Sequence, residues 1–153
     1  VAAEISYTEM KLEHLPGVLV IEELSFSTPW SHHAFSYEIL HNNFSCYLVA
    51  LIGQRVIGYA GMWLVLDEAH VTNIAVHPDF RNKKVGRGLM LNLLAHAVAK
   101  GATRMTLEVR PSNTRALSLY KGLGFKRKGI RKKYYTDNDE DAIIMWKEDL
   151  VQG

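Results

Sequence analysis

The stretch Asn73 to Met90 reads N-I-A-V-H-P-D-F-R-N-K-K-V-G-R-G-L-M and holds the densest chemistry in the chain. Four cations, Arg81, Lys83, Lys84 and Arg87, follow Pro78, and Gly86 and Gly88 stand at the mouth of a long apolar-periodic segment. Free amides at a helix N-terminus, the helix dipole and added cations together make a phosphate site. Glycines there let the backbone approach an anion closely. Neither G-x-x-x-x-G-K-[ST] nor G-x-G-x-x-G is present, so a bound pyrophosphate would belong to neither a Walker-type nucleotide nor a Rossmann dinucleotide. The plainer alternative is a solvated basic loop capping an ordinary helix.

A second centre is Glu108, within Thr106-Leu107-Glu108-Val109-Arg110. Strand alternation puts it on the face opposite Leu107 and Val109. A lone acid in an apolar strand is costly unless paired, and Arg110 on the same face is one available partner. Tyr120, one stripe along from Leu117, reads from spacing alone as a core aromatic with its hydroxyl at the surface. His14, His32, His33, His41, His70, His77 and His96 show no metal-ligand spacing. Ser25, Ser27 and Ser31 carry no nucleophile signature. Cys46 is the single cysteine, set among apolar residues, and reads as a buried structural thiol in a reducing compartment.

The elements that must position these groups follow from pattern. Ile5 to Thr8 reads as a strand, and Leu12 to Leu24 as a helix with Pro16 and Gly17 in its first turn. Ser31 caps a second helix ending at Leu40. Tyr47 to Ile52 and Arg55 to Val65 form a hairpin across Gly53-Gln54, and Ala69 to Val76 is the next strand. Val85 to Lys100 is an amphipathic helix stopped by Gly101. Met105 to Val109 is a strand, and Asn113 caps a helix over Asn113 to Lys121. Ile130 to Tyr135 and Ala142 to Lys147 pair across the acidic turn Asp137-Asn138-Asp139. The crossover from Ala69 to Val109 forces one central parallel pair into a mostly antiparallel mixed sheet. The fold class is therefore α/β, one domain over residues 1–153 with about four helices.

Composition bounds the rest. The chain has 153 residues, 48% of them hydrophobic and 22% charged, which suits one domain with a sizeable core and excludes wholesale disorder. The net charge of +2 hides an uneven distribution. Residues 1–80 hold two basic and nine acidic side chains; residues 81–153 hold sixteen basic and seven acidic. The second part thus suits an anionic partner. No apolar run reaches the ~18–20 residues that span a bilayer. No signal-peptide pattern is visible, so the expected location is the cytoplasm.

Arg81 to Gly86 resembles the Q/R-x-x-G-x-G/A acetyl-CoA loop of the GCN5-related N-acetyltransferases. Asn113-x-x-Ala116-Leu117-x-Leu119-Tyr120-x-x-x-Gly124-Phe125 resembles the next block of that superfamily. Within it, the chain is most similar to the RimI-type ribosomal-protein alanine N-acetyltransferases. Pro29-Trp30-Ser31 with Phe35, Leu66 to Ala69, Asn73 to Val76, Leu107 to Arg110, Tyr134-Tyr135 and Glu140 to Met145 carry that likeness. It runs from about Ile5 to Lys147. One departure stands out: Lys84 occupies the place of the loop's first glycine.

The resemblance implies a single GNAT-like domain that moves an acetyl group directly from acetyl-CoA to an amine, with no covalent enzyme intermediate and no metal. Backbone amides of Asn82, Lys83, Lys84, Val85, Gly86 and Arg87, with Gly88 beside them, would hold the CoA pyrophosphate, and Arg81 and Arg87 would add charge. Ile74, Ala75 and Val76 would hydrogen-bond the pantetheine arm like an added strand, and Asn113 would fix that arm. The thioester would lie where the parallel pair splays, between Val76 and Glu108. Glu108 would serve as base toward the amine and Tyr120 as acid toward the sulfur. An ordinary glutamate is a weak base, so the role requires partial burial or a relaying water. Trp30, Tyr134 and Tyr135 are the acceptor-groove candidates, although Trp30 and Phe35 read first as packing aromatics. The implied acceptor is a protein N-terminal amine, that of alanine on a small-subunit ribosomal protein, with no nucleic acid or membrane required. Two other readings stay open. One is transfer to a lysine side chain, another N-terminus or a polyamine. The other is a nucleic-acid-binding module built on the basic run Lys126 to Lys133.

Overall fold

The order of elements in the computed structural model, which describes residues 4–150, follows the hydrophobic pattern closely. The chain runs β1 (Ser6–Glu9), α1 (Leu15–Ser25), α2 (His32–His41), β2 (Ser45–Ile52), β3 (Arg55–Val65) and β4 (Glu68–Val76). It continues with α3 (Val85–Ala99), β5 (Arg104–Val109), α4 (Thr114–Gly122), β6 (Lys126–Arg131) and β7 (Ala142–Lys147). Short 3₁₀ turns at Leu12–His14 and Pro78–Phe80 precede α1 and the loop into α3. Pro16 sits in the first turn of α1, where its missing N–H costs nothing. Gly17 lets that helix lie against β3, since a Cβ there would come within 2.9 Å of Val56 Cβ. Ser31 Oγ accepts from the Ala34 amide and Asn113 Oδ1 from the Ala116 amide, so both predicted caps form.

The seven described strands make one sheet in the order β1-β2-β3-β4-β5-β7-β6. Every neighbouring pair is antiparallel except β4 with β5. That parallel ladder is short: Glu68 pairs with Arg104, Ala69 with Met105 and His70 with Thr106. Beyond it, β4 stays bonded to β3 as far as Val76, while β5 stays bonded to β7 as far as Val109. The two central strands therefore part after His70 and Thr106, and a wedge opens in the middle of the sheet.

Helices cover the two faces separately. On one, Leu89, Met90 and Leu93 of α3 and Tyr120 of α4 pack on Leu48, Ile57, Met62, Met105 and Leu107. On the other, Leu15, Val18 and Ile21 of α1 and Phe35 of α2 pack on Val49, Tyr47 and Tyr59. Each fully buried side chain of this size contributes about 1.5–3 kcal/mol by leaving water. Cys46 is a buried thiol in the first layer, as its apolar setting predicts.

The closing hairpin differs from expectation. A strand over Ile130 to Tyr135 is predicted, but β6 begins at Lys126 and ends at Arg131. Lys126 pairs with Trp146 and Arg131 with Ala142. Cation content obscures this strand, because β6 is the sheet edge and its lysines and arginines stay in water, a common guard against edge pairing. Lys133 has φ 50°, a left-handed turn that ends the ladder. Tyr134 and Tyr135 therefore lie in the loop after β6 rather than on the strand.

Candidate active site

The phosphate-loop candidate forms at the start of α3. Asn82 and Lys84 both have φ 62°, and Lys84 is the helix N-cap without a side-chain cap bond. A left-handed conformation is where glycine is favoured, so a lysine in the place of the loop's first glycine is strained at this turn. The Gly88 amide donates to Lys84 O and closes the first helical turn. The amides of Val85, Gly86 and Arg87 are the helix's first three, which no intrahelical carbonyl can reach. Arg81 is tied back to the strand by Nε donating to Val76 O at 3.3 Å.

A cleft of about 690 Å³ opens from this loop along the end of β4. Its walls are Ile74, Ala75 and Val76, Phe80 to Asn82 and Lys84 to Arg87, Ser112 to Ala116, Leu119 and Tyr120, with Ser25 and Phe26 from the end of α1 and the residue after it. The volume is in the range of small-molecule and cofactor sites. Two predicted members fall outside the walls. Lys83 leans over the Phe80 ring, 5.7 Å from its centroid. Gly88 faces Tyr7: a Cβ there would land on the tyrosine hydroxyl, and its amide is already used within the helix. Gly86 is different, because a Cβ would meet Leu119 Cδ2 at an ordinary 3.4 Å. Packing explains the glycine at 88; at 86 it leaves the backbone open to the cleft.

Tyr120 reaches the inner end of the cleft and is 5% exposed, with its ring 5.9 Å from Phe125. Burial, and secondarily the nearby Tyr135, push its hydroxyl well above the ordinary tyrosine value, so it holds its proton at neutral pH. Glu108 lies on the opposite arm of the wedge, its side chain about a quarter exposed. Its charge partner is Arg131 Nε at 3.8 Å, not Arg110. Arg110 turns instead to Asp137, donating through Nη2 to both carboxylate oxygens at 3.0 Å, and to Glu140 at 3.4 Å.

Tyr135 stands between these groups. Arg110 covers its ring at 3.9 Å, and Tyr134 meets it edge-on at 5.1 Å. Burial pushes its pKa up to about 12; Arg110 opposes the rise, and Glu108 is near enough to add to it. Tyr134 is more exposed, beneath Arg131. Trp30 is set apart from this pair. Its indole packs on Phe35 and Tyr47, at 5.3 and 6.5 Å between ring centroids, and its amide donates to Glu22. The packing role is the one its contacts describe.

Two constellations escape the sequence reading. Ser27 Oγ donates to Asp137, and Ser112 donates to Glu140 through both its amide and its hydroxyl. With Arg110 these bonds clasp the α1–α2 loop and the β5–α4 turn to the loop after β6. Both carboxylates titrate below their ordinary values, Asp137 mainly through Ser27 and then Arg110, Glu140 mainly through the Ser112 amide and hydroxyl. The second constellation is a pair of buried acids, Glu22 on α1 and Glu38 on α2. Each continues the apolar stripe of its helix (Leu15, Val18, Glu22; Phe35, Glu38), and an acid on such a stripe is the signal that could have flagged them.

A parted parallel pair beside a cleft at a helix N-terminus suits an acyl-CoA-dependent transferase of the acetyltransferase (GNAT) family. The chain belongs to that family, whose model matches residues 15–125. A Bacillus subtilis protein provisionally named ribosomal protein bS18-alanine N-acetyltransferase is 44% identical over 137 residues, 90% of this chain and 91% of that one. The Escherichia coli ribosomal protein bS18-alanine N-acetyltransferase is 37% identical over 142 residues, 90% of this chain and 93% of its own. The crystal structure of the ribosomal-protein-S18-alanine N-acetyltransferase from Escherichia coli superposes with a TM-score of 0.86, at 33% identity, over 95% of this chain and 94% of that one. The protein is an N-acetyltransferase, and acetyl-CoA is its acetyl donor. Among the described residues no cluster of His, Cys, Asp and Glu is arranged to hold a metal, and no helix is long and apolar enough to cross a membrane.

Proposed function

We propose that this enzyme acetylates the α-amine of a protein N-terminus, that of the alanine at the start of ribosomal protein bS18. The observation that supports this reading is the parting of β4 from β5 beside a cleft that reaches Tyr120, with Glu108 on the β5 arm. The likeness to the two bS18-alanine acetyltransferases along about nine-tenths of the chain supports the acceptor.

In this reading the free amides of Val85, Gly86 and Arg87 hold the pyrophosphate, aided by Arg81 and the N-terminal dipole of α3. Ile74 to Val76 align the pantetheine arm, and Asn113 closes the cleft from α4. Bound acetyl-CoA supplies the thioester, and the chain supplies the proton transfers. Glu108, directly or through one water, takes a proton from the incoming ammonium. The freed amine nitrogen bonds to the thioester carbonyl carbon as the carbon–sulfur bond breaks, and Tyr120 gives its proton to the departing sulfur. The nitrogen, which still carries one proton more than the amide product, gives it up to solvent as Tyr120 regains a proton; with the Glu108 proton also released, each turnover yields one proton net. Tyr134 and Tyr135 form the acceptor wall beside Glu108.

Incubation with acetyl-CoA and peptides bearing alanine, other N-terminal residues or only a free lysine side chain, read by mass spectrometry, tests the acceptor. Acetylation of the alanine terminus is expected. Preference for the lysine side chain overturns the reading.

A further inference from the structure

Next to the wedge, β4 carries a bulge: Val71 pairs with Met62 and Asn73 with Gly61, leaving Thr72 extra. Gly61 has no room for a side chain because the Tyr47 ring lies on it. That ring delivers its hydroxyl 2.8 Å from Thr72 Oγ1 and 3.2 Å from Glu38 Oε1. Glu38, 5% exposed, also accepts from Trp63 Nε1 and from Asn42 Nδ2. At the other end, Thr72 Oγ1 lies 2.8 Å from the Asn73 amide oxygen as placed, and the amide nitrogen is buried with no partner among the described residues.

The protons in this chain can be counted. A carboxylate only accepts, so Tyr47 spends its one proton on Glu38. Thr72 must then donate to Tyr47, and its oxygen is left to accept from Asn73. A half-turn of the Asn73 amide satisfies this, putting the NH₂ toward Thr72 and the carbonyl at the buried, unpartnered end. A buried carbonyl without a donor is costly, so the fold holds an acceptor that a ligand N–H can complete.

Its place in the strand tells which ligand. Pairing with β5 ends at His70, and the cofactor cleft begins at Ile74. Asn73 stands between them on the β4 arm, three residues past the last rung of the ladder to β5. We infer that Asn73 binds the acceptor amine through its side-chain carbonyl, and that Glu38 is a positioning residue that orients this carbonyl through Tyr47 and Thr72. An ammonium and the amine it becomes both retain an N–H for this contact, so it aims the nitrogen lone pair through the proton loss. The inference rests on the wedge being the acceptor site proposed above.

The test is calorimetric titration, with CoA present, of an alanine-initiated hexapeptide with a free N-terminus and of its N-acetylated form. In Asn73→Ala the free peptide should bind about tenfold more weakly, while the acetylated peptide and CoA itself change less than twofold. Glu38→Gln should weaken the free peptide about fivefold and add little to Asn73→Ala, because both act through one carbonyl. Weaker CoA binding with unchanged peptide binding would assign the amide to the cofactor and overturn the inference, as would no change in either. Should Asn73→Ala not fold, the side-chain amide ¹⁵N signal of Asn73 in the wild type gives the same answer. It should move with the free peptide and not with the acetylated one; no movement overturns the inference. A peptide that is acetylated yet ignores Asn73→Ala sinks this inference alone, whereas a peptide neither bound nor acetylated sinks the proposed acceptor and this inference with it.

Discussion

The two sides of the wedge are built by different means. On the proposed cofactor side the candidate parts are mainly backbone: three helix-end amides, the free edge of β4 and two left-handed residues, contributed largely by the continuous stretch 74–88. On the proposed acceptor side they are side chains from distant parts of the chain. Ser27 meets Asp137 across 110 positions, Arg110 meets Asp137 across 27 and Ser112 meets Glu140 across 28. Backbone recognition suits a donor whose pyrophosphate and amides are the same in every turnover. Side-chain recognition can be altered residue by residue without disturbing the sheet, which suits the half of the site that selects the acceptor.

The largest expected effect crosses both sides. Glu108→Gln and Tyr120→Phe should each lower kcat by roughly 10²–10⁴-fold while acetyl-CoA Kd changes less than twofold. Near-normal turnover in either variant removes that residue from the chemistry. Arg110→Ala should act on the acceptor side alone, raising the peptide KM on the order of tenfold and leaving acetyl-CoA Kd unchanged. An equal change in both constants would break the division between the sides.

The clasp also has a pH signature. Lowered carboxylate values in the folded state mean that its stabilisation is fully present above the ordinary values of 3.8 for Asp137 and 4.5 for Glu140. It is lost as pH falls through the lowered ones. Thermal melts should therefore show the wild type losing its advantage over Arg110→Ala on the acid side only. A constant gap between the two proteins across the acid range would argue that these carboxylates do not hold the loops.

Two glycines sharpen the cofactor side. Gly88→Ala should cost about 1–3 kcal/mol of stability by displacing Tyr7, with little effect on acetyl-CoA Kd. Gly86→Ala should leave stability nearly unchanged and weaken acetyl-CoA binding; the reverse pattern would mean that the helix mouth is not the phosphate site. The smallest effect is expected from Lys84→Gly. Relief of the left-handed lysine, worth about 1–2 kcal/mol, is mostly offset by the extra freedom of glycine in the unfolded chain. The melting temperature should rise by a few degrees at most, and a shallower salt dependence of acetyl-CoA binding would show that the ammonium also touches phosphate.

The legibility of the molecule follows the same line. Asn113, Ser31, Gly101 and the amphipathic α3 are readable because caps, glycine stops and helical stripes are local consequences of local residues. The parallel pair was readable one step further, since a crossover from Ala69 to Val109 demands it, but not how soon its strands part. Arg110 was not: alternation offers it as a partner for Glu108, but the loop after β6 brings Asp137 and Glu140 to it, and Arg131 reaches Glu108 instead. Strand β6 was misplaced because at a sheet edge a strand need not look apolar. Gly88 looked like part of an anion loop, and only the Tyr7 ring arriving from β1 explains it.

The amino-acid sequence alone determined the order of elements, the helix caps and the helix mouth with its cations. All of these depend on residue type and near spacing. Tertiary structure alone decided which charges pair, how far the parallel ladder runs before it opens, and that a buried chain from Glu38 to Asn73 ends beside the wedge. Those outcomes depend on distances between segments far apart in the chain, and such distances are set by the packing of two helical layers on one twisted sheet.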